Sequence, residues 1–349
     1  MDLLLKPSFK LIESGKLPDQ VIRAGIRHLS KKRLAQEGRY QTERAAERYM
    51  RVLEGLKKSA IAIETETANQ QHYELPTIFF QKVLGKRLKY SASYFETAAT
   101  SLNQAEEYAL CCYCERAQLK DGQEILELGC GWGSLSLYMA ENFPNANITV
   151  VSNSATQRAY IEQQAQTKQL TNLKVITCDV NVLEFEAARF DRVVSVEMFE
   201  HVRNYARLFE NISTWLKADG LLWCHIFCHR FLHYPFEVNN EFDWMSKYFF
   251  TGGFMPATST FLHFQQHLSL KQHWQWSGEH YAHTANAWLN NMDRHAQELQ
   301  PVFAQTYGQD AQIWWQRWRI FFMACAELFG YEHGQEWVIG HFLFEKNAL

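Results

Sequence analysis

The fold is decided by the stretch Glu127-Leu128-Gly129-Cys130-Gly131-Trp132-Gly133. It follows a short apolar run at 125–126 and precedes a helical run at 135–140. A strand, a glycine-rich turn and a helix in this order form the first unit of a nucleotide-binding α/β domain. Glycines let the backbone approach a ligand, and an acid at the strand end suits an ammonium group better than a pyrophosphate. A turn that only packs the strand on the helix is the alternative.

Strands and helices alternate from about residue 105 onward. We predict strands at 124–128, 147–151, 173–177, 190–196 and 221–227, with helices at 133–142, 155–168 and 204–217. Two more strands, at 268–276 and 336–345, and helices from 284 and over 311–329 complete the pattern. Such repeats predict a doubly wound, mostly parallel sheet of seven strands. Ligands bind at the carboxyl ends of such strands, and four polar residues lie there: Glu127, Ser152, Asp179 and Glu197.

Two regions depart from this alternation. Residues 20–60 are predicted to be helical and carry 11 Lys or Arg and 4 Glu between Arg23 and Lys58, a local charge of 11 − 4 = +7. We interpret residues 1–100 as an N-terminal helical region and cofactor cap with a solvated basic face; a surface for a membrane or an acidic partner is the alternative. Residues 101–349 form the main domain, and its aromatic insertion at 229–267 is predicted to be a lid and acceptor pocket.

The composition argues against several functional classes. A net charge of −3 disfavours nucleic acid as a partner, because phosphate binding needs a basic face. We find no signal peptide and no apolar run of the roughly 18 residues that a membrane span needs. Peripheral membrane contact and a homodimer stay open. The eight cysteines have neither a disulfide framework nor zinc-finger spacing, so we expect reduced thiols, no metal and a cytoplasmic protein.

A second signal is the run Glu197-Met198-Phe199-Glu200-His201, which follows the fourth predicted strand. Positions i, i+3 and i+4 share a face on a helical turn, so Glu197 is expected to converge with Glu200 and His201. Crowded carboxylates raise one another's proton affinity, which suits acid–base catalysis. The alternative is that the acids only stabilise the start of the next helix.

Polar residues also follow the second and third strands. Ser152, Asn153 and Gln157 can hydrogen-bond the hydroxyl groups of a ribose. Asp179 is placed to accept a hydrogen bond from an adenine amino group, with a helix N-cap as the alternative. These positions predict that the ligand of the glycine turn contains a nucleoside.

Several motifs together resemble the cyclopropane fatty acid synthase superfamily of S-adenosylmethionine-dependent methyltransferases. They are the run 90–95 (Tyr-Ser-Ala-Ser-Tyr-Phe), His72-Tyr73-Glu74, the glycine turn, the Ser-x-x-x-x-Gln element at 152–157 and Phe199-Glu200-His201. Segments 197–201, 244–253, 326–331 and 341–344 look most like the coclaurine N-methyltransferase branch, which methylates the ring nitrogen of benzylisoquinoline alkaloids. The similarity runs from about residue 70 to the end of the chain.

The resemblance implies a Rossmann-like class I methyltransferase fold and the cofactor S-adenosyl-L-methionine. It also implies a set of cofactor-binding residues, namely Tyr90, Ser91, Glu127, Gly129, Gly131, Ser152, Asn153, Gln157, Asp179 and Val180. A cofactor-binding module without activity would need emptied catalytic positions, and in this chain they are filled.

Two departures separate the branches of this superfamily. Its cyclopropane synthases bind bicarbonate with a cysteine where this chain has Ala92, and they have a glycine where it has Glu197. The resemblance therefore implies methyl transfer by in-line displacement to the nitrogen of a small cyclic amine, such as a benzylisoquinoline. Cyclopropanation or C-methylation of unsaturated phospholipid chains is the alternative.

The acceptor amine needs both a base and a pocket. We expect Glu200 and His201 to take or relay the proton of the amine, and Glu197 to hold the cationic acceptor. Aromatic faces attract an ammonium group. The predicted walls of the acceptor pocket are Trp244, Tyr248, Phe249, Phe329 and Trp337.

Overall fold

The N-terminal part of the chain is helical in the computed structural model, which describes residues 11–63, 75–97, 99–238 and 243–347. Its helices are α1 (Asp19–Gln36), α2 (Thr42–Lys57), α3 (Thr77–Val83) and α4 (Leu102–Arg116). The helix predicted over 20–60 is therefore interrupted. Gly38 adopts a φ of +81°, which glycine tolerates, and the Arg39 N–H bonds back to the Leu34 carbonyl at 2.9 Å, which ends α1.

The core of the molecule is a sheet with both faces covered. Its strands are β1 (Glu124–Leu128), β2 (Asn147–Ser152), β3 (Leu173–Thr177), β4 (Phe190–Val196), β5 (Leu216–His229), β8 (Leu268–Trp276) and β9 (Trp337–Lys346). They lie in the order β3-β2-β1-β4-β5-β9-β8. Strands β1 to β5 are parallel, and β9 runs antiparallel between β5 and β8. The predicted doubly wound, mostly parallel sheet of seven strands is confirmed.

The burial of the strands explains their apolar sequences. Ile125 and Trp223 point into one hydrophobic core, whereas Leu126 and Leu222 point into a second core on the opposite face. This alternation follows from the two-residue period of a strand. The covering helices are α5 (Ser134–Asn142), α6 (Ala155–Thr167), α7 (Tyr205–Trp215), α9 (Glu279–Arg294), α10 (Ala296–Tyr307) and α11 (Ala311–Phe329).

The insertion predicted at 229–267 leaves the sheet after β5. It contains β6 (Tyr234–Pro235), helix α8 (Trp244–Tyr248) and β7 (Phe254–Met255), and β6 pairs with β7 in an antiparallel ladder. The insertion returns to the end of β5, where His229 forms a bridge with Ala257. It therefore stands at the carboxyl end of the parallel strands, where such sheets bind ligands.

The basic side chains of α1 fasten this helix to the rest of the protein. Arg23 and Arg27 both pair with Glu327 on α11, at 2.9 and 2.6 Å, and Arg33 pairs with Asp243 at 3.1 Å. These arginines thus contact acids of the same chain, which neither the solvated-face nor the membrane-surface interpretation anticipated. In the described part of the chain, no helix is long and apolar enough to span a membrane.

Candidate active site

The glycine turn joins β1 to α5 and forms one wall of a cleft. Gly129 has a φ of +78°, and a Cβ on it would lie 2.6 Å from the Met198 side chain. Gly131 has a φ of +50°, and a Cβ there would meet no atom within 4 Å. The first glycine therefore allows close packing under the cleft. The second leaves its backbone open to a ligand.

All ten residues predicted to bind the cofactor line this single cleft. They are Tyr90, Ser91, Glu127, Gly129, Gly131, Ser152, Asn153, Gln157, Asp179 and Val180. Glu197 and His201 line the same cleft, whereas Glu200 does not. His72-Tyr73-Glu74, which contributed to the resemblance, lies outside the described residues. The strand ends thus bring together residues spread over about ninety positions of sequence.

Glu127 is a buried acid at the centre of the cleft. Its carboxylate accepts a hydrogen bond from the Ser136 hydroxyl on α5 at 2.5 Å. Burial raises the pKa of Glu127 to about 7, although the Ser136 hydrogen bond opposes this rise. A cationic ligand beside Glu127 would offset the burial and favour the ionised form.

Gln157 supplies an amide donor on the other side of the cleft. Its Oε1 accepts a hydrogen bond from the Ser152 hydroxyl at 2.7 Å, which leaves the Nε2 atom to point elsewhere. This Nε2 is buried and has no hydrogen-bond partner among the described residues. Buried donors are normally hydrogen-bonded, so we expect this one to donate to an acceptor on a ligand, such as a ribose hydroxyl.

Asp179 belongs to a turn rather than to a helix start. Its Oδ1 accepts hydrogen bonds from the backbone N–H and the side-chain amide of Asn181, at 2.7 and 2.8 Å. The Asn181 amide in turn bonds both backbone groups of Ala62, at 3.1 Å each. No helix begins in the described stretch 179–189, so the N-cap alternative is wrong. The turn instead ties the segment that follows α2 to the rim of the cleft.

Glu197 follows β4 with a φ of +47°, in the left-handed region that non-glycine residues rarely adopt. Its Oε1 accepts hydrogen bonds from the Ala92 N–H at 2.8 Å and from the His225 ring at 3.0 Å. Its Oε2 accepts a hydrogen bond from the Tyr281 hydroxyl at 2.7 Å. Three donors on one carboxylate stabilise its charge.

The charge state of Glu197 follows from two opposed effects. Burial acts to raise its pKa, but the His225 hydrogen bond and the Lys89 ammonium outweigh burial, and the pKa lies below its ordinary value. His225 itself is neutral at pH 7, because burial lowers its pKa to about 4. We therefore attribute the lowered pKa of Glu197 to hydrogen bonds and to Lys89 rather than to a charged imidazole.

Glu200 lies in a single 3₁₀ turn at 199–201, whereas Glu197 precedes this turn with a left-handed φ, and the two carboxyl groups have different hydrogen-bond partners. Glu200 is fully buried, and its Oε1 accepts the Phe227 N–H at 2.7 Å. Its Oε2 has no partner among the described residues. Burial and the neighbouring charge of Glu197 raise the pKa of Glu200 well above its ordinary value, which favours the protonated form of this carboxyl group.

His201 faces the cleft at the end of the same turn. Its ring packs against Phe250 with 4.7 Å between the centroids. Burial lowers the pKa of His201 to about 4, so the imidazole is neutral at physiological pH. The expected convergence therefore holds in the cleft for Glu197 and His201, while Glu200 points into the sheet. Helix α7 starts only at Tyr205, with Asn204 as its cap, so these acids are not in its first turn.

The five predicted walls of the acceptor pocket do not line the cleft. The Trp244 indole donates to Glu13, Phe249 stacks on Phe321, and Tyr248 lies under the Arg317 guanidinium. Trp337 is buried and donates to the Tyr234 hydroxyl. Phe329 alone contacts the Glu197 network, since it stacks on Tyr281 at 4.4 Å. The assignment of these five residues stays a prediction.

Other aromatic residues lie nearer to Glu197 and His201. Phe250 contacts both His201 and Phe227, and Phe227 contacts Phe329, with ring centroids 4.7, 5.6 and 5.8 Å apart. Together with Tyr281 they form an aromatic wall, defined here as Phe227, Phe250, Tyr281 and Phe329. The sequence reasoning missed three of the four. His225 was also missed, although it pairs with Val196 at the end of β4 and strand register could have found it.

A methyltransferase cofactor fits this arrangement on three counts. The cleft offers an open glycine backbone, an orphaned amide at Gln157 and a buried carboxyl group at Glu127 that a cation would help to ionise. With the doubly wound sheet, these features define a class I S-adenosylmethionine-dependent methyltransferase.

Comparisons with known proteins specify the family. The profile of mycolic acid cyclopropane synthetase matches residues 62–337, and the chain belongs to this family. It is 37% identical over 342 residues to (S)-coclaurine N-methyltransferase from Thalictrum flavum subsp. glaucum, which covers 97% of this chain and 94% of that protein. Cyclopropane-fatty-acyl-phospholipid synthase from Escherichia coli K12 is 28% identical over 77% of this chain and 66% of its own length.

A solved structure agrees with this placement. Coclaurine N-methyltransferase bound to N-methylheliamine and SAH superposes with a TM-score of 0.94 at 35% identity, over 98% of this chain and 100% of that one. The sequence-based prediction of an S-adenosylmethionine-dependent methyltransferase, nearer to N-methyltransferases than to cyclopropane synthases, is confirmed.

Proposed function

We propose that this enzyme methylates the nitrogen of a small cyclic amine, which binds as an ammonium ion beside Glu197. The observation that carries the proposal is the ionised Glu197 carboxylate, held by three donors at the edge of the cofactor cleft. The aromatic wall reaches this carboxylate through Tyr281 and reaches His201 through Phe250, and ring faces attract cations. A fixed anion next to aromatic rings favours a cationic organic acceptor over a neutral acyl chain.

The acceptor must lose a proton before it can react. An aliphatic amine with a pKa of about 10 is mostly protonated at pH 7, and freeing its lone pair costs about 4 kcal/mol. A positioned base contributes roughly 10²–10⁴-fold to the rate, which is of comparable size. Bound S-adenosylmethionine supplies an electrophilic methyl group on a sulfonium ion.

The charge states of the site residues indicate which of them binds the ammonium ion and which accepts its proton. Glu197 is ionised and poorly basic, so it acts as the counter-ion that orients the ammonium. His201 is neutral and faces the cleft, so a ring nitrogen can accept a hydrogen bond from the ammonium and relay its proton, although a pKa of about 4 makes it a weak base as well. Glu200 is buried, and its raised pKa favours the protonated form. In this arrangement Glu200 adds no second negative charge beside Glu197. His201 is the group that contacts the amine.

The same geometry speaks against the lipid alternative. Ala92 replaces the cysteine of the bicarbonate site, and its N–H donates to Glu197 instead of to an added anion. The Glu197 carboxylate thus takes up donors that a bicarbonate base would need. Relatives named for coclaurine, pavine and tetrahydroprotoberberine N-methylation support a ring nitrogen as the methyl acceptor. A cytoplasmic location, in keeping with eight unpaired cysteines, belongs to the same proposal.

A competition assay tests the proposal. The purified protein is incubated with methyl-labelled S-adenosylmethionine and with a panel of amines that includes 1,2,3,4-tetrahydroisoquinoline, or with liposomes of unsaturated phospholipid. We expect label in at least one cyclic amine, identified by mass spectrometry as an N-methyl product, and none in lipid. Label in the acyl chains with no labelled amine would overturn the proposal.

A further inference from the structure

A line of polar groups crosses the sheet and ends on Glu197. His225 on β5 and His341 on β9 are direct partners in the antiparallel ladder, and their rings are bonded through Nδ1 of His225 and Nε2 of His341 at 3.0 Å. Arg116, the last residue of α4, bonds Nδ1 of His341. The Nε2 atom of His225 lies 3.0 Å from Oε1 of Glu197.

The direction of these hydrogen bonds follows from Arg116. A guanidinium has only donors, so Nδ1 of His341 must accept and its proton must lie on Nε2. That N–H then donates to Nδ1 of His225, which leaves Nε2 of His225 as the protonated nitrogen. Every bond in the line therefore points toward the Glu197 carboxylate.

The surroundings of the line hold it in place. His225 and His341 are both buried, and burial lowers the pKa of each ring, so both are neutral. The Arg116 guanidinium lies over the rings of Trp274 and Trp276, at 5.1 and 5.3 Å. Trp276 also packs against His341 at 4.2 Å. The charged or titratable groups that face the two histidines are Glu197, Lys89, Arg116, Tyr113 and His273.

We propose that Arg116 and His341 are positioning residues that hold His225 in the Nε2-protonated tautomer and so keep a donor on Glu197. Without them, only the Glu197 carboxylate itself holds the proton on Nε2, so the Nδ1-protonated tautomer, whose lone pair faces the carboxylate, gains population. The loss of this donor raises the proton affinity of Glu197, and Glu197 then binds an ammonium ion more weakly. The proposal deepens the proposed function, on which its catalytic consequence rests.

The variants His341→Leu and His341→Gln separate this role from simple packing. Leucine fills similar space but can neither accept from Arg116 nor donate to His225. Glutamine carries one acceptor and two donors, so it can restore the line. Arg116→Met removes the first donor and leaves the two histidines unchanged.

The first measurement is the tautomer of His225, read by nitrogen NMR of protein labelled with ¹⁵N-histidine. We expect the Nε2-protonated form in the wild type and in His341→Gln. In His341→Leu and Arg116→Met we expect the Nδ1-protonated form to be populated. A His225 tautomer that is the same in all four proteins overturns the proposal, whatever the enzyme methylates.

The second measurement is the pH dependence of 1,2,3,4-tetrahydroisoquinoline binding in the presence of S-adenosylhomocysteine, by calorimetry. Binding weakens at low pH as Glu197 is protonated, and we expect this limb to lie about one pH unit higher in His341→Leu. The loss of affinity should be about twofold at the variant's midpoint and should approach tenfold below the wild-type midpoint. His341→Gln should restore the wild-type limb. A uniform loss at every pH, without a shifted limb, overturns the link to Glu197. If the variants shift the tautomer as expected but the wild-type protein methylates no amine, the proposed function is contradicted instead.

Discussion

The two sides of the cleft draw their residues from very different lengths of chain. On the cofactor side, Gly129, Asn153 and Asp179 each follow the end of a parallel strand by one or two positions. On the acceptor side, Glu197 is held by Ala92, His225 and Tyr281, which lie 105, 28 and 84 positions away in sequence. On the cofactor side each of these residues is placed by the strand that it follows, whereas the state of Glu197 is set by partners that only the fold brings to it.

This difference indicates that the acceptor side, rather than the cofactor side, determines which acceptor is methylated. A strand end and a glycine turn can hold the same cofactor in many proteins, because backbone geometry does most of the binding. The state of Glu197 depends on donors from α9, β5 and the segment before α4, so a change at any of them alters the acceptor chemistry. Substitutions on the two sides should therefore have separable effects.

The largest effect is expected from Glu197→Gln. It removes the charge and replaces one of the two accepting oxygens with a donating amide nitrogen, so kcat/KM for the amine should fall roughly 10³-fold. Cofactor affinity should change little, because Glu127 and Gln157 are untouched. Steady-state kinetics and calorimetry with S-adenosylhomocysteine check the two halves of this expectation. The matched control is Glu210→Gln, an exposed acid on α7, which should behave as wild type.

Glu197→Gly sharpens the same test. A φ of +47° suits glycine, so the fold should survive while the three donors lose their carboxylate. Added formate should then restore part of the activity by binding to these donors. A Glu197→Gln enzyme with nearly full activity would show that the acceptor side is not organised by this charge.

A smaller loss is expected from His201→Gln. The imidazole is the neutral group that faces the cleft, so its removal should lower kcat roughly 10²-fold. The pKa of His201 is about 4, and protonation below that value removes its ability to accept a proton. The histidine therefore does not titrate between pH 6 and 9. In this range kcat of the variant should be lower than that of wild type at every pH and should depend on pH in the same way. An unchanged rate and pH profile would remove His201 from catalysis.

The same contrast explains what could be predicted from the sequence. The sheet, its strand ends and the residues of the glycine turn could be predicted because periodicity and short motifs are local signals. The aromatic wall could not, because Phe249 and Phe250 are adjacent in sequence and only the fold turns one into the core and the other toward His201. Glu197 and Glu200 have different partners for a similar reason, because Glu197 lies outside the 3₁₀ turn at 199–201 and has a left-handed φ of +47° that a helical pattern does not predict.

On the cofactor side, Glu127→Gln should weaken S-adenosylmethionine binding roughly tenfold at pH 8 and less at pH 6. The reason is that the pKa of Glu127 is about 7, so the charge that attracts the cation is present mainly above that pH. Calorimetry at several pH values measures the difference between wild type and variant. An affinity gap that does not grow with pH contradicts the role of the Glu127 charge.

The same substitution should stabilise the protein without ligand at high pH. Burial raises the folded-state pKa of Glu127 from 4.5 to about 7, so its favourable contribution is complete below about pH 4.5 and is lost as pH rises through 7. Glutamine has no such loss. The free energy of unfolding of the variant should exceed that of wild type by up to about 3 kcal/mol at pH 8, with the gap closing toward pH 5. Urea unfolding at both pH values measures it.

The smallest effects are expected from substitutions at Phe249, in the predicted pocket wall, and at Phe250, in the aromatic wall near His201. Phe249 is buried and stacked on Phe321 at 4.5 Å, so Phe249→Leu should cost about 1 kcal/mol of stability and leave KM for the amine unchanged. Phe250 lies against His201, so Phe250→Leu should raise KM about fivefold, the size of one lost cation–π contact, with little change in Tm. If KM instead responds to Phe249 and not to Phe250, the acceptor lies on the α8 and α11 side of the insertion.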